Sequence, residues 1–526
     1  MKKNIVLIIG LIFLFVPSIF AQQDFDALRK QMEQDFDAFK AKSEQEFKDF
    51  RAEANAEFAK FMSQAWEEFS TFQGIPAPKA TEPVKQPTVE PGKKPTSDPI
   101  AFDTVVPASK PTPRPQPVSP INTTPVIVVV PASKPTTPST SPVVDVPTPA
   151  PAPVPTPAPT PASVPEPAKS GFSFLFYNTA CNVRLDNSLR FSLHDISEKS
   201  VADEWKKLSG KQSDALIYDC LSLRDQLNLS DWGYMQLLKT ISENFFGKDS
   251  NEAVLLQMFI LTQSGYKVRI ARGENRLALL VPFQQTIYDY VYLNISGKKF
   301  YLMDKSLKGK SLAVFNHEFP KEQHFTWQTG MPKLAVKLNE PKKFSSARYS
   351  EIQAMIQTNQ NLIDYYEDYP LSSEFDLYSF TGLSENVKES LYPVLQRAVA
   401  GKSKPEAAGM LLNFLQTTFK YETDAKQFGY ERPFFADESF FFPANNCKDR
   451  AVVYAVLVKD ILDLDVVLLL YPGHLANAVH FPEDVSGDYL TIEGKKFLVC
   501  DPTYVGASIG TAMPSFKNTQ AKVIKL

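Results

Sequence analysis

The sequence predicts an α+β protein with two tandem modules, preceded by an α-helical stalk of eleven-residue repeats and a proline-rich linker. Three observations lead there. Aromatic residues recur every eleven positions through residues 22–73. Most of the 42 prolines crowd into 74–169. Beyond residue 170, an apolar helical run followed by short β-prone segments occurs twice, each time ending in Gly-Lys-Lys-Phe and, four residues later, an Asp.

Residues 1–21 carry Lys2 and Lys3, an apolar run at 5–20 and then Ala21-Gln22-Gln23. That is the pattern of a secretory signal with cleavage after Ala21, and export to the periplasm, the cell surface or the medium follows. An uncleaved anchor is the other reading of the same run. No Cys follows the site to take a lipid. No later stretch is long and apolar enough to span a bilayer, so no integral membrane span is expected after cleavage.

In the repeat segment, Phe25, Phe36, Phe47, Phe58 and Phe69 form one series. Leu28, Phe39, Phe50, Phe61 and Phe72 form a second, three residues on. Eleven residues make three turns at about 3.67 per turn, so the apolar stripe stays straight or winds slightly right-handed. A lone helix cannot bury such a stripe, and self-association into a homo-oligomer through residues 22–73 is expected. The alternatives are a helix on a membrane surface and one that packs on the protein's own domains. Residues 74–169 read as disordered polyproline spacer, with the β-prone run Pro125–Val130 as its apolar exception.

Residues 170–330 and 400–526 read as two versions of one module, joined by a connecting region at 331–399. An ungapped alignment of 253–283 with 451–481 sets Val268 on Val466, Leu277 on Leu475 and Phe283 on Phe481. One residue of slip later, Gly297-Lys298-Lys299-Phe300 meets Gly494-Lys495-Lys496-Phe497, and Asp304 meets Asp501. Coincidence between two apolar α/β stretches is the competing explanation. Leading and core helices are expected at 232–246 and 252–263, then at 405–419 and 447–462. In the connecting region, 325–338 looks strand-like and 349–364 helical.

The chemistry concentrates near the C-terminus. Cys447 stands where the apolar run of Val452, Val453 and Val456 begins, at the start of a buried helix. Helix N-termini and a neighbouring imidazolium both lower a thiol pKa. His474 opens one apolar strand and Asp501 closes the next, so the Asp can orient the imidazole. In the run Cys447-Lys448-Asp449-Arg450-Ala451, in Gly473-His474 and in Asp501-Pro502-Thr503, the chain resembles the transglutaminase-like superfamily, a branch of the papain-like cysteine enzymes. The resemblance spans roughly 400–515. It implies Cys447 as nucleophile, His474 as general base and Asp501 as the orienting group. Cross-linking transglutaminases carry a Trp directly after the nucleophile, where this chain has Lys448; hydrolysis is therefore favoured over cross-linking.

Alternatives remain at each position. A Cys447–Cys500 disulfide would make the triad an illusion, although strand alternation points Cys500 and Asp501 to opposite faces. His480, on the same strand face as His474, is a rival base. Cys181 and Cys220 are a second possible disulfide pair. In the first module, the alignment puts Asp249 opposite Cys447 and Arg276 opposite His474, and only Asp304 keeps its counterpart, so that copy has lost nucleophile and base. The long aromatic loop before Cys447 either shapes a groove or packs against the first module.

The charge balance, 56 basic against 59 acidic residues, implies no nucleic-acid partner. Five scattered His and four Cys give no metal constellation, and no cofactor is expected. The expected function is a secreted or periplasmic cysteine peptidase or amidase. It would act on peptide or isopeptide amides of a protein substrate through a thioester. The oxyanion would sit on the Cys447 backbone N–H with Asn445 or Asn446. The competing function is a non-catalytic binding scaffold.

Overall fold

Two six-stranded sheets, each packed against helices, make up the α+β body of the chain. The computed structural model describes residues 55–70, 75–76, 99–106, 171–210, 213–318, 322–326 and 330–526. The expected signal, the repeats up to residue 54, the run Pro125–Val130 and most of the proline-rich segment lie outside these residues.

The strands of the two sheets are β1 (Glu67–Ser70), β2 (Phe102–Val106), β5 (Arg269–Gly273), β6 (Arg276–Val281), β7 (Tyr292–Ile295), β8 (Lys298–Leu302), β9 (Ser311–Phe315), β12 (Val466–Tyr471), β13 (His474–His480), β14 (Tyr489–Ile492), β15 (Lys495–Cys500) and β16 (Ala521–Lys525). Two small hairpins supply the rest: β3 (Phe172–Phe176) with β4 (Thr179–Val183), and β10 (Lys342–Ser345) with β11 (Gln353–Ile356). The first sheet has the order β1-β9-β5-β6-β8-β7. The second, read from its other edge, has the order β2-β16-β12-β13-β15-β14.

The helices before the first sheet are α1 (Glu198–Leu208), α2 (Ser213–Gln226), α3 (Asp231–Phe246) and α4 (Asn251–Gln263). The connecting region holds α5 (Gln360–Glu367), α6 (Phe375–Thr381) and α7 (Glu385–Val399). Then come α8 (Lys404–Thr418), the single turns α9 (Asp424–Gln427) and α10 (Glu438–Phe441), and α11 (Cys447–Leu462).

Local sequence accounts for the key junctions. Ser230 and Ser250 accept the first free N–H groups of α3 and α4, from Gly233 and Ala253. A capping box between Asn446 and Asp449 starts α11. The hairpins β7–β8 and β14–β15 turn on Ser296-Gly297 and Glu493-Gly494, all four at positive φ. Two consecutive residues at positive φ match the right-handed twist of the strands they join, which is why the Gly stands at the same place before both Lys-Lys-Phe runs.

Both sheets are buried on both faces. In β6, Leu277, Leu279 and Val281 face the helices while Ala278 and Leu280 face a smaller cluster on the other side. In β13, Leu475 and Val479 face the helices while Ala476 and Ala478 point away. One contiguous set of buried side chains, from Phe58 to Ile524, runs beneath both sheets.

Several expectations need correction. The repeat segment does not end as a free stalk at residue 73. Residues 55–62 are helical and docked: Phe58 stacks on Trp205 at 4.1 Å, and Met62 and Trp66 are buried. Phe69 lies in β1, which pairs with β9. The apolar stripe here finds its partner in the chain's own core, the packing alternative to self-association. The proline-rich segment is likewise interrupted by β2, which pairs parallel with β16. Each added strand covers a sheet edge whose unpaired backbone groups are otherwise open to other chains. Residues 349–364 are not one helix. Gln353–Ile356 alternates exposed and buried side chains and pairs with β10, and Asn359 caps α5. Among the described residues of the patch at 325–338, only the isolated bridges at Phe325 and Leu338 are strand-like.

Replacing Phe58 by Ala is expected to destabilise the chain by about 3 kcal/mol, the usual cost of emptying a buried aromatic site. Thermal unfolding of the two proteins measures it. An unchanged melting temperature would mean that residues 55–70 do not dock.

Candidate active site

The site is built where α11 meets β13. α11 is apolar on nearly every side, and its buried residues run from Lys448 to Val458 without a break. Such a helix has to lie inside a core. Asn477 ties it to the sheet, donating from Nδ2 to the Ala451 carbonyl at 3.0 Å. This contact brings the start of α11 beside the start of β13.

Cys447 is the first residue of α11 and is partly exposed. Cys447 and His474 line one cleft, and the influence of His474 and of the Leu475 backbone N–H lowers the pKa of the Cys447 thiol. His474 Nε2 lies 2.8 Å from Asp501 Oδ2, which leaves Nδ1 for the thiol. Asp501 follows β15 directly. Its Oδ1 accepts the backbone N–H groups of Thr503 at 2.8 Å and Tyr504 at 3.2 Å. The structure therefore pairs His474 with Asp501 and sets Cys447 in the same cleft as His474.

The electrostatics follow from this arrangement. Burial pushes the Cys447 thiol up, but the hydrogen bond and charge of His474, with Lys448 beside them, outweigh burial, and the net effect is a pKa below the usual 9.0. Burial works against the His474 imidazolium too. The Asp501 charge and hydrogen bond, joined by Cys447, raise it to about 10. Both shifts favour a thiolate facing an imidazolium.

Several supporting side chains carry no signal in the sequence. Phe516 lies flat against His474, with ring centres 5.0 Å apart and an interplanar angle of 4°, and also stacks on Tyr471. Gln416 reaches from α8 under the loop after Asp501. Its Nε2 donates to the Asp501, Tyr504 and Ala507 carbonyls at 3.2, 2.8 and 3.0 Å. A buried Gln three helices upstream in sequence has no local pattern that would announce this role. Lys448 pairs with Asp424 and, at 3.2 Å, with Glu431. In the sequence it stands out only as a departure from Trp.

The other named residues fall elsewhere. Asn445 is buried, and its Oδ1 accepts from Arg450 Nε at 2.9 Å; it does not line the cleft. Asn446 lines the cleft, but its amide donates to Asp424 at 2.8 Å and its oxygen caps Lys448. The Asn446 side chain is thus committed to the helix cap and to Asp424, while Asn445 stands off the cleft, its Nδ2 buried without a partner. His480 hydrogen-bonds the Lys496 carbonyl through Nδ1 at 3.0 Å and packs on Phe497, away from Cys447 on the strand. All four cysteines are free thiols, so neither Cys447–Cys500 nor Cys181–Cys220 is bridged.

In the first half, Arg276 opens β6 and its Nε sits 2.9 Å from Asp304 Oδ2. Asp249 is exposed in a turn at φ 56°, two residues before α4 begins. Among the described residues no cluster of three or more His, Cys, Asp or Glu side chains is placed to hold a metal ion.

A cleft of about 230 Å³ opens over Cys447 and His474. Its walls are largely apolar, with Leu470 and Leu475 from the second sheet and Leu371 and Phe375 from the connecting region. Tyr288, from the first half, completes the wall and is fixed by a 2.9 Å hydrogen bond to Ser373. The aromatic loop contributes Tyr421 alone of its many rings. Phe435 instead stacks on Tyr366 at 4.1 Å, and Phe440 packs edge-on to Phe344. Those rings hold the connecting region, rather than a groove or the first module.

No family model, no curated protein and no solved structure matches this chain. Among the described residues, no helix is long and apolar enough to cross a membrane.

Proposed function

We propose that the chain is an exported cysteine enzyme of the transglutaminase-like type, hydrolysing peptide or isopeptide amides through a thioester. The observation that carries the reading is the 2.8 Å contact of His474 with Asp501 in the cleft that Cys447 lines from a helix start, with shifts that lower the thiol pKa and raise that of the imidazole. In this reading Cys447 is the nucleophile, His474 the base and Asp501 the orienting group, the set that acyl transfer requires.

In this reading the Cys447 thiolate attacks the amide carbonyl carbon. The oxyanion gathers on the Cys447 backbone N–H, one of the free donors of the first helical turn. As the C–N bond breaks, His474 passes its proton to the departing amine, leaving a thioester on Cys447. Water then attacks, His474 takes its proton, and the acid leaves as the thiolate reforms. Asp501 keeps Nε2 occupied so that Nδ1 serves the sulfur. Lys448 and its acidic partners occupy the place next to the nucleophile, which supports hydrolysis over cross-linking.

The two halves are proposed to be tandem copies of one module, the first without catalytic residues. Their matching sheet orders, with a strand from the N-terminal segment on the same edge of each, support this. So do the matching Gly turns before Lys-Lys-Phe. Activity is expected to vanish in Cys447→Ala and His474→Ala, to fall less in Asp501→Asn, and to survive in His480→Ala. Hydrolysis of a peptide library by the purified chain reports it. Loss in His480→Ala with full activity in His474→Ala would defeat the assignment.

Self-association is proposed to rest on the repeats at 22–54, since 55–70 are taken up by the chain's own core. Light scattering of the chain with and without 22–54 is expected to show a larger mass for the former. Equal monomeric masses would refute it.

A further inference from the structure

The cleft over Cys447 is walled by groups that a bound molecule can touch. Tyr288, Leu371, Tyr421 and Leu470 line it, and each is partly exposed. Apolar surface left in water beside a nucleophile gains from any apolar group that covers it. The volume of about 230 Å³ lies below the ~300–1,000 Å³ of clefts that enclose a whole drug-sized ligand. It suits one side chain with its adjoining amide.

The charges exclude other occupants. Among the described residues that line the cleft, Lys448 is the only Lys or Arg, and it is met by both Asp424 and Glu431. His474, the other group there that can carry positive charge, is paired with Asp501. An acidic side chain thus finds no cation without a carboxylate already beside it. A basic one has to displace Lys448 from its partners. A large apolar side chain covers Tyr288, Leu371 and Leu470 and leaves these charges as they are.

Part of the wall comes from the first half. The Tyr288 backbone N–H donates to the Leu371 carbonyl at 3.0 Å, and the Tyr288 hydroxyl donates to Ser373 Oγ at 2.9 Å. The Ser372 hydroxyl donates back to the Thr286 carbonyl at 3.1 Å. These bonds lace 286–288 to 371–373, so Tyr288 and Leu371 form one surface that is already ordered before anything binds. Such a surface needs little further ordering on binding, which favours the group that fits it.

We infer that the cleft selects amides flanked by a large apolar side chain such as Phe or Leu, and that Tyr288 is the specificity-determining residue contributed by the first half. The inference rests on the hydrolase reading for its place beside the scissile amide. It gives the half that lacks nucleophile and base a part in the same site.

The test titrates the full chain carrying Cys447→Ala, by calorimetry, with the N-acetyl amides of Phe, Leu, Gly, Glu and Lys. In each compound the side chain has an amide on either side. The Phe and Leu compounds are expected to bind at least about tenfold more tightly than the others, the usual effect of an apolar group in a fitted pocket. Tyr288→Ala should remove most of that advantage. Tyr288→Phe, which keeps the ring and loses only the bond to Ser373, should retain it. A merely structural role for Tyr288 would weaken all the compounds alike, and melting temperatures check that each variant folds. Equal binding of all the compounds, tighter binding of the Glu or Lys compound, or no binding overturns the inference, as does an advantage that survives Tyr288→Ala. The comparison among compounds decides even if Tyr288→Ala does not fold. The unmutated chain is then offered the same amides. Hydrolysis of none of them, with the binding preference intact, sinks the hydrolase reading and leaves the selectivity of the cleft standing; hydrolysis without the preference does the reverse.

Discussion

The helix Cys447–Leu462 is enclosed by apolar side chains almost throughout, and one hydrogen bond from Asn477 to the Ala451 carbonyl ties it to the strand beginning at His474. A helix buried in this way has no freedom to slide, because a shift of one residue would rotate its whole apolar surface by about 100°. Its first residue is therefore fixed against the first residue of β13. The neighbouring register, with Asn477 opposite Cys500, sets the end of β15 beside the same point and delivers Asp501 to His474. Three residues far apart in the chain meet because three elements start or stop at one corner of a packed core.

That corner is then held by groups that do no chemistry. Gln416 binds three carbonyls of the Asp501 loop, Phe516 lies against the imidazole, and the Asn446–Asp449 cap shapes the start of the helix. Lys448 adds a positive charge next to the sulfur while its own charge is met by Asp424 and Glu431. The groups around His474 and Asp501 are largely buried, where charge interactions are stronger than in water and an unpaired partner is costly.

What was legible in the sequence tracks how local each signal is. Cys447, His474 and Asp501 each mark the boundary of an apolar run, so their positions could be read from neighbouring residues. The Gly-Lys-Lys-Phe runs were legible as a repeat, but that each opens on a two-residue turn at positive φ emerges only in the fold. The fate of residues 55–70 was not: an apolar stripe states that it needs a partner, not which one, and here Trp205 and Phe315 lie well over a hundred residues away. The β2 strand was hidden in proline-rich composition, since edge pairing asks little of the sequence. The aromatic loop could be seen to need burial, but its partners Tyr366 and Phe344 belong to a connecting region with no periodicity of its own. Gln416 and Phe516 act across the fold, and only the fold reveals them.

In the proposed chemistry Cys447 rests as a thiolate against a protonated His474. The ultraviolet absorbance of the thiolate, taken as the difference between the chain and its Cys447→Ser variant across pH, tests it most directly. Because the Cys447 pKa is lowered and that of His474 raised to about 10, the thiolate signal should appear with a midpoint below the ordinary 9.0. In His474→Ala the signal should move to higher pH. A signal that is absent at neutral pH and rises with a midpoint at or above the ordinary 9.0 would contradict the ion pair, and with it the catalytic reading of the site.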